Sequence, residues 1–176
     1  MLAKQGFFLQ TQTAALDACL PWATWTQEMP YGRLRPGCRL KAAPLPNARW
    51  QECQRRAHAQ CPQWGAYRLL TDQGYSLQET SALERSAHQL TDQALDRPAR
   101  PSLVAHVHSH GHGAAFFSAQ DDVADQRGEG VYLALVLGRC GAQATMTAAW
   151  RLVVWGWLLP LDAASRAQML PDAING

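Results

Sequence analysis

Two apolar runs dominate the C-terminal half of the chain. Val131-Tyr-Leu-Ala-Leu-Val-Leu137 shows no alternation of apolar and polar positions, which reads as a strand buried on both faces. Gly138-Arg-Cys-Gly141 then turns the chain, and Ala144 to Val154 returns as the paired strand. Trp155 to Pro160 follows as an apolar closing segment, before a short helix at about Asp162 to Leu170. Upstream, Leu103-Val-Ala105 reads as the end of a buried strand that runs on through His106, His108 and His110. Alternate strand residues point to one face, so these three imidazoles would share it. A helix over 121–127 comes next. Ser118 stands three residues before Asp121, a Ser-x-x-Asp arrangement that suits a helix N-terminus.

The first half is less regular. Gly6 to Thr13 and Gly37 to Ala43 read as strands. Prolines at 21, 30, 36, 44 and 46 exclude a long helix and place loops around the second strand. Asn47 serves as the N-cap of a helix whose stripe is Trp50, Cys53, Ala57 and Cys61, and Pro62 ends it. Ala66 to Leu70 and Tyr75 to Glu79, separated by Asp72-Gln-Gly74, form a β-hairpin. Ser81 to Leu90 fits either a strand or a helix, and Arg97 to Pro101 is a loop. The resulting organisation is an N-terminal extension, 1–48, packed on a domain of 49–170, with a loose tail at 171–176.

Composition narrows the class. The chain has 176 residues, enough for one domain with its own core, and 47% hydrophobic against 17% charged residues argues for folding rather than disorder. A net charge of +2 is too small to make nucleic acid the main partner. The five cysteines are widely spaced, without a Cys-x-x-Cys pair, so neither a disulfide framework nor a cysteine zinc site is expected. Free thiols fit a cytoplasmic setting. The first ten residues lack a continuous apolar region, so no signal peptide is expected. Leu152 to Leu159 is too short to span a bilayer. Most of the seven tryptophans are expected in the core, with some at a binding surface.

The candidate chemistry lies in 106–121. Two neutral imidazoles and a carboxylate are suitable zinc ligands, and three protein ligands leave a fourth position for water. His108, His110 and Asp121 are the candidate ligands. No further histidine stands at a spacing that would make Ser118 a nucleophile. The blander reading is a hydrogen-bonded histidine cluster with Ser118 only capping the helix. His106 either orients a ligand by hydrogen bonding or is a satisfied histidine at a buried strand end. His112, between two glycines, reads as a surface loop residue, with a substrate contact as the sharper alternative.

His108-x-His110, Ser118 eight residues on and Asp121 three after that together resemble the JAMM motif of the MPN+ (Prok-JAB) zinc metallopeptidases. Gly111 stands where that family usually has proline. This variant, followed by Ala-Phe-Phe-Ser and a doubled Asp, resembles in particular the prokaryotic branch called PRTRC system protein A. The resemblance implies a mixed α/β fold of the MPN type, a cytidine-deaminase-like sheet flanked by helices. It also implies Zn2+ as cofactor and a role for Ser118 in stabilising an oxyanion. The partners implied are a ubiquitin-like protein and its activating-enzyme-like protein, with neither nucleic acid nor a membrane.

One residue departs from the pattern. Zinc-assisted amide hydrolysis needs a base. The resemblance implies a Glu near the junction of the first helix and the next strand. That junction reads Cys61-Pro62-Gln63-Trp64-Gly65, with Gln63 where Glu is expected. Either the acid has been lost or another Glu serves: Glu52, Glu79 or Glu84, with Glu79 foremost because it ends a strand near the site strand. Three readings stay open. They are a peptidase or isopeptidase acting on a ubiquitin-like tail, a non-catalytic MPN-type binding module, and a small-molecule zinc amidohydrolase.

Overall fold

The computed structural model describes residues 1–41, 46–60, 64–71, 74–79, 82–86, 89–92, 103–141 and 145–169, with the backbone alone for Asn47 and for 66–71, 82–86 and 89–92. The expected loop at 97–101, the tail at 171–176 and the far end of the strand to Ala43 lie outside these residues.

The chain opens with an antiparallel sheet of β1 (Leu2–Ala3), β2 (Gly6–Gln12), β3 (Leu16–Thr24) and β4 (Gly37–Leu40), in that order. β3 is an addition to the sequence reading, in which the prolines marked loops. Pro21 is accommodated because it pairs with Phe8 where the β2–β3 register shifts, and a proline can sit at such an irregularity. Next comes α1 (Asn47–Ala59). Its N-cap is Pro46, not Asn47 as expected, and no side chain caps it. The proline ring holds φ at −58° with an extended ψ of 140°, so the chain enters the helix one residue early. Trp50, Cys53 and Ala57 are buried along one stripe, as the helical spacing predicts.

The main sheet has six strands in the order β12-β11-β10-β9-β5-β6. These are β5 (Gly65–Thr71), β6 (Gly74–Glu79), β9 (Leu103–Ser109), β10 (Val131–Gly138), β11 (Thr147–Val154) and β12 (Trp157–Pro160). The expected 66–79 hairpin is β5–β6. The ambiguous segment after it is a separate two-stranded sheet, β7 (Ala82–Ser86) and β8 (Gln89–Asp92). Every residue of β10 is buried, as its unbroken apolar run requires. The closing apolar segment is itself a strand. Trp155 and Gly156, with φ of 50° and 83°, make the two-residue turn that folds β12 back on β11.

Among the described strands of this sheet, only β9 and β10 pair in parallel. The crossover between them carries α2 (Ala119–Gln126). The last helix is α3 (Ala163–Met169). The two faces of the main sheet differ. Leu133, Leu135 and Leu137 of β10 face a large core shared with Trp50 and Cys53 of α1, Leu16 and Leu20 of β3, and Met169 of α3. Tyr132 and Ala134 face the other way, with Leu103, Val153 and the partly buried Phe117. Of the tryptophans, Trp50, Trp64 and Trp150 are buried, whereas Trp22, Trp155 and Trp157 are more than half exposed. Fewer of them are core residues than expected. The four described cysteines are free thiols, and no helix among the described residues is long and apolar enough to cross a membrane.

Candidate metal centre

Register decides which side chains can meet. On β9, Ala105 and Val107 belong to the α1-side core, so His106 and His108 point to the opposite face, where α2 lies. The strand ends at Ser109, one residue short of the reading that placed His110 within it. Gly111, at φ 58°, bends the chain there. His110 is nevertheless held against the sheet, because its N–H donates to Leu137 O at 2.8 Å. The loop beyond is clipped to the end of β10 by Cys140 N–H to Gly111 O at 2.7 Å and Arg139 N–H to Gly113 O at 2.6 Å.

The helix supplies the third donor. α2 begins at Ala119, earlier than the sequence suggested, with Ser118 as its N-cap. Asp121 N–H donates to Ser118 Oγ at 3.2 Å, and Ser118 N–H donates to Asp121 Oδ2 at 2.6 Å. This reciprocal capping box fixes the Asp121 carboxylate at the mouth of the helix. Oδ1 lies 3.1 Å from His108 Nε2, and Oδ2 lies 3.6 Å from His110 Nε2. One donor atom from each of His108, His110 and Asp121 falls within 4.8 Å of the others, so the three could hold one metal ion.

The electrostatics fit that use. Burial pushes the His108 imidazolium pKa down despite the pull of Asp121, which favours the neutral ring a metal needs. Burial opposes ionisation of Asp121, but the nearby imidazoles of His108 and His110 and the Ser118 N–H outweigh it and hold the carboxyl well below the usual range. His108 Nε2 is buried without a hydrogen bond of proper geometry, an orphan that a cation would satisfy. Two imidazoles and a carboxylate are a donor set suited to zinc. Phe116, exposed, sets its ring edge against His110 with centroids 4.9 Å apart.

The other sequence candidates separate cleanly. His106 shares the face, with its ring centroid 5.7 Å from that of His108, but stands outside the three-donor group. His112 is exposed. Gln63 and Cys61 lie outside the described residues. Trp64 and Gly65 follow Gln63 directly and are laid against the site strand. Trp64 N–H donates to Ser109 Oγ at 2.9 Å, and Gly65 pairs with His108.

Glu79 and Glu52 are corrected. Glu79 pairs with Ala66, and Ala66 pairs with Val107, so Glu79 is on the α1 face, away from His108. There its Oε1 accepts from Arg56 at 2.8 Å, Trp64 Nε1 at 2.9 Å and Gln60 at 3.1 Å. Burial disfavours its charge, but these partners win and keep it ionised. Glu52 is tied to Arg49 and Arg56 on the same helix. Neither can serve a metal on the α2 face. Glu84 belongs to β7, for which only backbone is described.

Arg151 was missed in the sequence. It lies buried under α2, and its signal was a single charge within the apolar strand Ala-Ala-Trp-Arg-Leu-Val-Val. A comparison with known families matches residues 43–153 to Prok-JAB, the prokaryotic homologs of the JAB domain. Among curated proteins, no significant match is found.

Proposed function

This chain belongs to the prokaryotic JAB-domain family, and on that premise we propose that it is a zinc-dependent peptidase or isopeptidase acting on the C-terminal tail of a bacterial ubiquitin-like protein in the cytoplasm. The observation that carries the reading is the convergence of His108, His110 and Asp121 on one face, within 4.8 Å of one another. The ubiquitin-like substrate rests on the resemblance of His108-x-His110…Ser118-x-x-Asp121, with Gly111, to the JAMM motif and to its PRTRC system protein A branch. An activating-enzyme-like protein is a further partner on the same ground.

His108, His110 and Asp121 would hold the ion. When bound, zinc supplies Lewis acidity that polarises a carbonyl and acidifies water. Ser118 accepts the Asp121 N–H through its hydroxyl oxygen. Its own hydroxyl proton then remains to be donated to a developing oxyanion. The proton acceptor for attack has to lie on the His108 face. In the sequence Gln63 immediately precedes Trp64 and Gly65, which lie against the site strand, but a neutral amide cannot take the proton.

That departure supports a second reading: a non-catalytic module that binds zinc and the ubiquitin-like tail. The absence of an acid at position 63, with Glu52 and Glu79 committed to the α1 face, favours it. Two measurements on purified protein decide. Metal analysis should give about one zinc per chain, lost in His110→Ala, and retained zinc in that variant would sink the ligand assignment. Cleavage of a ubiquitin-like protein carrying a C-terminal extension is then compared between wild type and Gln63→Glu. Activity in either supports the peptidase and, if gained only in the Gln63→Glu variant, fixes the site of the base. Full zinc and tail binding without turnover in both establishes the module.

A further inference from the structure

A surface helix ordinarily docks through an apolar stripe. α2 does not. Of its eight residues the only buried one is Asp125, and Val123 is 46% exposed. A helix of this length is not stable by itself, so something other than apolar burial must hold it on the sheet. That anchor is Arg151 of β11, 6% exposed, facing Asp125, 4% exposed. Arg151 Nε and Nη2 both donate to Asp125 Oδ2, at 2.9 and 2.6 Å, and Tyr132 Oη donates to Asp125 Oδ1 at 2.9 Å. Nη1 donates to Asp122. The guanidinium carbon lies 3.8 Å from the centre of the Phe117 ring.

These contacts bracket the capping box. Phe117 immediately precedes Ser118, Asp122 immediately follows Asp121, and Asp125 is one turn further on. The guanidinium therefore grips the chain on both sides of the residues that present the carboxylate, and its planar fork fixes direction as well as distance. We propose that Arg151 is the positioning residue of the metal centre, setting where Asp121 and Ser118 stand relative to His108 and His110 through its hydrogen bonds to Asp122 and Asp125 and its stacking on Phe117. The inference rests on the metal-site reading above. Groups that orient a ligand from behind are worth about 10- to 100-fold in metal affinity.

The test has to separate positioning from mere stability. Replacing a buried ion pair by apolar residues of similar volume is often neutral or stabilising. Arg151→Met combined with Asp125→Leu should therefore keep a cooperative thermal transition near that of wild type. Zinc affinity is measured by competition with a chromophoric chelator, and the coordination geometry by the visible spectrum of the cobalt(II)-loaded protein. The expected result is zinc affinity weakened about 10- to 100-fold, with an altered cobalt spectrum, in a folded double variant. Wild-type zinc affinity and an unchanged spectrum in that variant would overturn the proposal alone. Arg151→Lys keeps the charge but not the fork and serves if the double variant does not fold. Weaker zinc binding in it supports the proposal, and unchanged binding overturns it. Failure of the wild type to bind zinc or cobalt would instead bring down the metal site itself, and this inference with it.

Discussion

Asp121 divides its carboxylate between two tasks. Oδ2 accepts the Ser118 N–H at 2.6 Å, while Oδ1 lies 3.1 Å from His108 Nε2. Asp121→Asn keeps the size but loses the charge, and its amide nitrogen then stands either where the cation needs an acceptor or where the Ser118 N–H does. Metal analysis of that variant should find no stoichiometric zinc. Ser118→Ala removes the cap to Asp121 N–H together with the hydroxyl proposed to donate to the oxyanion. It should cost about 0.5–2 kcal/mol in chemical denaturation, retain zinc, and lose any turnover the wild type shows. Far from the site, burial and the nearby Asp17 charge push the Cys38 thiol from its ordinary 9.0 up to about 12. A folded-state value above the unfolded one gives stability that is complete below pH 9 and lost as pH rises toward 12. Denaturation midpoints should fall over that window in wild type and fall less in Cys38→Ala. At pH 8 the thiol should resist alkylation in the native protein, because only the thiolate reacts.

Among elements, the loop from His110 to Ser118 depends on a glycine that belongs to its neighbour. A Cβ at Gly138 would stand 2.1 Å from Ala115 N and 2.4 Å from Ala114 C. Both are backbone atoms, so the loop itself would have to move. Gly138→Ala is expected to destabilise the fold by about 1–3 kcal/mol and to weaken zinc binding, with calorimetry and chelator competition as the checks. Loop clipping of this kind was invisible in the sequence, where Gly138-Arg-Cys-Gly141 read simply as a turn. The same limit applies to α1. Its buried stripe was legible from spacing, but its cap was not, because Pro46 and Asn47 are both acceptable starts and the backbone chose the proline.

For the whole molecule, the family match begins at residue 43, after β4. The core does not respect that boundary. Leu16, Leu20, Cys38 and Leu40 lie in the same buried cluster as Trp50, Leu135 and Met169. Trp22 of β3 also meets Trp157 of β12 edge-on, with ring centroids 4.9 Å apart. A chain lacking residues 1–41 should therefore fail to give a cooperative unfolding transition, although it retains the full family match. Leu16→Ala, at a position with no solvent exposure, should cost about 2–5 kcal/mol. A soluble, cooperatively folding truncation would show instead that the N-terminal sheet is an independent addition.

The sequence alone determined whatever depends on local spacing. An apolar run without alternation became the fully buried β10. His-x-His at a strand end and Ser-x-x-Asp at a helix start marked the three donors and the cap, because strand and helix periods are short-range properties of the backbone; their meeting across β9 and α2 was left to the fold. Tertiary structure decided what depends on pairing between distant segments. The register of β6 on β5, and of β5 on β9, put Glu79 on the face away from His108, although its place at a strand end had made it the leading alternative base. The burial of Arg151 beneath α2 needed β11 to lie beside β10 and the crossover helix to cover both. A single charge in an apolar strand hints at such an arrangement, but its partners, Asp122 and Asp125, are set by the sheet order and not by any spacing along the chain.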